Sequence, residues 1–339
     1  MSLYRVCRPD WLGFLRVLVA VVLGLALALF FGCAPTPTAT GTALQPTTTP
    51  MPQMPPTPQP PMQPIQLRVY NTRSGQVQES ELETYTAHVV AAEMPAGFPE
   101  AALQAQAILV RTRALEQQQS GGCAHHEADI CTDFGCCQAF LDEDLFAEVW
   151  GEQVERYWAA CVDAAARTAG QVLTWRGQLA RVYYHSGSAV MTREGAFFGE
   201  DVPYLVSVAV AYPDDRVREH SFGWAQLAQR TGGDAESLRR GPVRVAALDA
   251  SGRPAYVQLG EMIVTGTDFR RALELPGGDF AIEVTAEGIG VTVYGGGHGV
   301  GMSQYSAKGM AAAGQSTSEI LALFYPGTQV AAAGDVLPK

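Results

Sequence analysis

Three stretches of the 339-residue chain hold side chains whose types and spacing could do chemistry. In Val89-Val90-Ala91-Ala92-Glu93-Met94-Pro95 a single carboxylate lies in an apolar run just ahead of an expected helix. Burial raises a carboxyl pKa, and a glutamate kept protonated near neutral pH can act as a general acid. The plainer reading is a surface or helix-capping glutamate, and spacing alone favours it. The second stretch gathers Cys123, His125, His126, Cys131, Cys136 and Cys137 within fifteen residues. Thiolates and imidazoles are zinc's preferred protein ligands, and four of them close a tetrahedral structural site. Disulfide pairing fits the same spacing equally well in an exported protein. The third stretch, Gly295-Gly296-Gly297-His298-Gly299-Val300-Gly301-Met302-Ser303-Gln304-Tyr305, is a glycine-rich turn with one histidine. No Lys-Ser or Lys-Thr pair follows, as a phosphate-cradling loop requires. Its glycines let backbone approach a sugar or another segment closely, and a purely structural turn remains open.

These stretches need elements to hold them. Pro99-Glu100 opens a run to Gln118 with Leu103, Ala107, Val110 and Ala114 at helical spacing, and proline at a first helical position is a start signal. A second helix is expected from Leu145 to Thr168, stopped by Gly170. Three hairpins follow, with turns at Arg176-Gly177-Gln178, Asp249–Arg253 and Glu287-Gly288, and helical spacing returns at Ser318–Tyr325. Helices and hairpins in separate blocks indicate an α+β fold.

Charge and the amino terminus bound the setting. With 23 basic and 34 acidic residues the net charge is −11, which argues against a nucleic-acid partner. Arg5, Arg8 and Arg16 precede an uncharged run from Val17 to Phe31 that ends at Gly32-Cys33, the outline of an export signal. Gly32-Cys33 resembles a bacterial lipoprotein cleavage box, so Cys33 is the expected lipidation site; an uncleaved anchor and ordinary secretion are the alternatives. All three place the rest of the chain outside the cytoplasm. Residues 34–65 hold 11 of the 21 prolines and no charge, and read as an extended linker.

Six segments together resemble the SpoIID/LytB domain of bacterial sporulation protein D and amidase-enhancer proteins. They are VVAAEMPAGFPEAALQAQAILVRTRAL from Val89, HHEADICTDFGCCQAF from His125, TAGQVLTWRGQLARVYYHSGS from Thr168, VPYLVSV from Val202, SFGWAQLAQR from Ser221 and GGGHGVGMSQYSAKGMAAAGQSTSEILALFYPGT from Gly295. The resemblance covers Gln66 to Thr328. It implies one domain over residues 66–330, of one or two lobes around a substrate groove, with a tail at 331–339.

The resemblance implies a peptidoglycan lytic transglycosylase with Glu93 as the catalytic acid and Arg111 as a substrate or carboxylate-orienting contact. Groove contacts are expected from His185, Ser186, His298, Gln304 and Tyr305. Structural zinc is expected on His125, Cys131, Cys136 and Cys137, with His126 and Cys123 as the nearest substitutes. Gly296 stands where the family has tryptophan, Ser306 where it has glycine, and Arg193 where it has glutamate, so reduced aromatic stacking on sugar is expected. A glycoside hydrolase usually needs two carboxylates, whereas here the C6 hydroxyl of N-acetylmuramic acid attacks C1 and one carboxyl suffices. The expected partner is glycan strands, stripped of peptide. The alternative is a non-catalytic wall-binding module that stimulates a cell-wall amidase. A zinc-dependent hydrolase is disfavoured, because a closed cysteine-rich site leaves no position for water.

Overall fold

A computed structural model describes residues 64–125 and 128–337. Cys33, the uncharged run, the linker up to residue 63 and His126 lie outside those residues. Strand β1 (Gln66–Asn71) alternates buried Leu67, Val69 and Asn71 with more exposed neighbours, and pairs antiparallel with β2 (Gln76–Glu81). Helix α1 (Leu82–Glu93) follows directly and buries Leu82, Tyr85, Val89 and Val90. It stops at Glu93 because a residue before proline is pushed out of helical backbone, and Met94 is extended at φ −122°, ψ 139°. Glu93 is therefore the last residue of its own helix, not a residue leading into the next.

Helix α2 (Glu100–Gln119) starts after Pro99, as its sequence predicts. Ala102, Ala105, Ala107 and Ala114 are among its fully buried side chains. Small side chains allow close approach from several directions, and α2 is the shaft around which the first core packs. The short β3 (Ile130–Cys131) lies parallel to β1. The expected second helix is broken: α3 (Phe146–Trp150) ends at Gly151, whose φ is +55°, and α4 (Val154–Arg167) begins after one tight turn. The first predicted hairpin forms between β4 (Gln171–Trp175) and β5 (Gln178–Leu179). Its two-residue loop, Arg176-Gly177, has positive φ at both positions, the backbone that matches strand twist.

From β6 (Tyr184–His185) the chain departs to build a second core and returns at β13 (Met302–Ser303), and the two strands pair in parallel. The excursion comprises β7 (Val217–Gly223), α5 (Trp224–Thr231), α6 (Ala235–Arg240), β8 (Val243–Leu248), β9 (Pro254–Leu259), β10 (Met262–Thr265), α7 (Gly266–Ala272), β11 (Asp279–Val284) and β12 (Gly288–Tyr294). Its sheets run β11-β12-β7 and β10-β9-β8. Phe222, Leu227, Val257, Phe269, Phe280 and Val291 form this second hydrophobic cluster, separate from the one around α2. After β13 (Met302–Ser303), α8 (Gln304–Ala312) and α9 (Thr317–Phe324) pack against α2. β14 (Gln329–Ala332) then pairs with β4, and α10 (Ala333–Val336) buries Ala333. The fold thus runs past the expected boundary at 330. It is α+β, and the described residues belong to one compact unit.

Candidate active site

Glu93 faces an open cleft of about 450 Å³. Its Oε1 accepts a hydrogen bond from the Ala139 N–H at 3.0 Å. Burial raises its pKa above the ordinary glutamate value, while that bond, the nearby Gln304 amide and the charge of Arg113 pull it partly back. The carbonyl end of α1 likewise disfavours a second negative charge there.

The rest of the cleft comes from several separate elements. Arg113 projects from α2 and donates to the Cys137 carbonyl at 3.2 Å. Tyr183, Tyr184 and His185 come from β6 and its flank, Phe198 from the 3-10 turn Gly195–Phe198, and Arg270 from α7 in the second core. His298 comes from the glycine-rich loop. Gly301 in that loop has φ +70°, and a Cβ there would lie 2.0 Å from the Tyr183 carbonyl. Its glycine therefore serves a close approach to another segment, which brings His298 beside His185, with ring centroids 5.7 Å apart. Burial lowers the pKa of His298 to about 4, and that of His185 well below the ordinary histidine value. Both rings are neutral at physiological pH.

Arg111 does not join this group. Its guanidinium is fully buried, forms an ion pair with Glu83, and donates to the carbonyls of Gln171 (2.8 Å) and Ala165 (3.2 Å). Two positions along an α-helix turn the side chain by about 200°, so Arg111 faces the core and Arg113 the cleft. The expectation for Arg111 is corrected: the carboxylate it orients is Glu83. Replacing Arg111 with methionine should cost on the order of 3 kcal/mol, since a buried ion pair and several carbonyls lose their partner. Denaturant melts of the two proteins check this, and equal midpoints would contradict it.

Among the other expected contacts, Gln304 lies at Glu93, while Ser186 and Tyr305 are engaged elsewhere. Arg216 donates to Ser186 Oγ at 2.7 Å and stacks over the Tyr305 ring at 3.6 Å. Neither residue lines the cleft. Sequence reasoning missed Arg113, Tyr183, Tyr184, Phe134, Phe198 and Arg270. The tyrosines lay next to His185 in a segment already singled out, but only packing reveals Arg270. The cleft is also richer in aromatic rings than Gly296 suggests, because they come from other loops.

The sulfur cluster borders the same cleft. Cys123, Cys131, Cys136 and Cys137 bring their Sγ atoms within 4.8 Å of one another. The turn after α2 delivers Cys123: Gly122 has φ +87°, and a Cβ would lie 2.4 Å from the Ala128 carbonyl. His125 instead stacks on Tyr70, with centroids 5.1 Å apart, and among the described residues Cys123, not His125, converges with the other three cysteines. A tetrahedral ion with sulfur at about 2.3 Å needs sulfurs about 3.8 Å apart. The Cys136–Cys137 pair is at 3.8 Å, and the five described cysteines are unbridged. The donor set fits zinc. Burial pushes the Cys131 thiol up to about 12, a position that a bound cation would reverse. From this cluster the chain continues to Gln138, which bonds Tyr85 and Tyr184, and to Ala139, which holds Glu93.

A family model described as SpoIID, stage II sporulation protein, matches residues 70–175. Stage II sporulation protein D of Bacillus subtilis (strain 168) is 31% identical over 287 residues, covering 81% of this chain and 82% of that protein. Its namesake in Bacillus amyloliquefaciens is 29% identical over 287 residues, with 81% of each chain covered. An uncharacterized protein of Brachyspira hyodysenteriae is 26% identical over 269 residues, 77% of this chain and 69% of its own.

Proposed function

The chain belongs to the stage II sporulation protein D family, and on that premise we propose that it is a peptidoglycan lytic transglycosylase. It cuts the bond between N-acetylmuramic acid and N-acetylglucosamine in glycan strands. The observation that carries this reading is that Glu93 is the one carboxylate among the described residues lining the cleft. Hydrolases of either stereochemistry ordinarily place a second carboxylate about 5–9.5 Å from the first.

One carboxyl can run the intramolecular reaction. Protonated Glu93 gives its proton to the glycosidic oxygen as the bond to C1 breaks. The C6 hydroxyl of the same muramyl residue closes on C1 and passes its proton to the Glu93 carboxylate. The acid is regenerated and the product ends in 1,6-anhydro-N-acetylmuramic acid. Burial supports the first step by keeping the proton on Glu93, and the Ala139 N–H fixes the carboxyl's position. Neutral His298 and His185 add no competing charge.

Arg113 and Arg270 support strands without stem peptides as the substrate. Their hydrogen-bond acceptors are the backbone carbonyls of Cys137, Leu275 and Pro276, with no ion pair to a carboxylate among the described residues. A muramyl lactyl group offers a free carboxylate only once its peptide is gone, so the enzyme would act after an amidase. Cys123, Cys131, Cys136 and Cys137 would hold a zinc ion whose contribution is structural, since four thiolates fill its tetrahedral positions. The cleft would work outside the cytoplasm on a tether lipidated at Cys33. Intact mass of membrane-extracted protein tests this, and an unmodified amino terminus would refute it.

Incubating the purified full-length protein with intact and with amidase-stripped peptidoglycan tests the function. Soluble fragments from stripped strands alone are expected. Strand binding with no fragments from either would point to a wall-binding module. A second prediction concerns pH. Arg113 lowers the Glu93 pKa, so Arg113→Gln should shift the falling, alkaline limb of the kcat profile to higher pH. A limb that stays in place would separate Arg113 from the acid.

A further inference from the structure

Phe134 serves neither the fold nor the one-acid reaction, yet it lines the cleft. It is 82% exposed, the most exposed of the large hydrophobic side chains among the described residues. It has no aromatic neighbour among them, whereas Phe198 in the same cleft stacks on Tyr183 at 4.8 Å and meets the His298 ring edge-on at 4.9 Å. A ring left in water contributes nothing to folding.

The turn that carries Phe134 is nonetheless firmly built. Asp133 Oδ1 accepts from the Gly135 N–H at 2.8 Å, and the Asp133 carbonyl accepts from the N–H groups of Cys136 (3.1 Å) and Cys137 (2.8 Å). On either side Cys131, Cys136 and Cys137 converge in the sulfur cluster. A stiff base presenting a bare phenyl ring over a polar cleft is preorganised for a ligand with a flat apolar face. Pyranose sugars have such a face. Their axial C–H groups form an apolar surface while the hydroxyls point outward around the ring, where Glu93, Arg113 and Arg270 supply polar partners.

We propose that Phe134 is the residue on which a sugar ring of the glycan stacks in the cleft. This rests on the glycan-cleaving reading above and adds to it the residue that grips the substrate. Phe134 then acts in binding, not in proton transfer.

The test compares full-length wild type, Phe134→Ala and Phe134→Trp. Binding of a soluble N-acetylglucosamine oligomer is measured by calorimetry, and fragment release from amidase-stripped strands by steady-state kinetics. Phe134→Ala should weaken oligomer binding about tenfold and raise KM by a similar factor, with kcat within about twofold. Its melting temperature and zinc content should match wild type, because the ring stands mostly in solvent. Phe134→Trp should bind at least as tightly as wild type. Unchanged affinity and KM in Phe134→Ala would overturn the assignment while leaving the cleavage reading intact. A fall in kcat alone would also overturn it, since that would make Phe134 a support for the Glu93 loop. If wild type neither binds the oligomer nor cuts strands, both readings fall.

Discussion

Replacing Glu93 with glutamine is expected to cut the release of anhydro-ended fragments by at least about 10²–10⁴-fold, the usual cost of losing a general acid. Glutamine keeps the shape and can still accept from the Ala139 N–H, so strand binding should persist. Stability should move the other way. Burial holds the Glu93 pKa above its ordinary value, so the folded protein binds that proton more tightly than the unfolded chain does. The resulting stability is fully present below the unfolded pKa and is lost as pH rises through the folded one. Glutamine never ionises. The melting temperature of Glu93→Gln should therefore pull ahead of wild type across the interval between the two pKa values, and hold a constant lead above it. Thermal melts over that range check the sign. A variant less stable than wild type at alkaline pH would mean that the carboxylate is favourably paired instead.

Loss of one cluster sulfur is expected to act through structure and activity together. Cys136 is only half-buried, so Cys136→Ala removes a ligand with little loss of packing. Metal content should fall from one zinc per chain to nearly none. A loss of about 3 kcal/mol would lower the melting temperature by roughly 5 °C in a domain of this size. Activity should drop as well, because the loop from Cys131 to Ala139 ends on the hydrogen bond that fixes Glu93. Glu93→Gln, by contrast, should keep its zinc. Thiol counting on wild type separates the alternatives. Reducible, unbridged cysteines with bound zinc support the site, and a disulfide at Cys131 without metal refutes it.

The local signals in the sequence were reliable where one chemical group decides the outcome. Pro99 starts α2 and Arg176-Gly177 turns the first hairpin, whereas the helix that Pro95 ends at Glu93 went unread. Signals failed where packing decides. Arg111 and Arg113 lie two residues apart on one helix, and nothing local says which faces the cleft. The Leu145–Thr168 helix reads as continuous until the backbone at Gly151 is seen. His125 and Cys123 are both capable zinc ligands, and the choice turns on Gly122 and on the ring of Tyr70. Arg270 reaches the cleft from a second core whose position no short motif encodes.

The central claim is that one carboxyl cuts the strand by intramolecular closure, and the chemistry of the new ends tests it most directly. Full-length protein is incubated with amidase-stripped strands, and the fragments are analysed by mass spectrometry with and without borohydride treatment. The account predicts muramyl ends that are one water lighter than hydrolytic ends and resist reduction. Reducible muramyl ends would mean that water attacked, a second catalytic group exists, and the one-acid reaction at Glu93 is wrong.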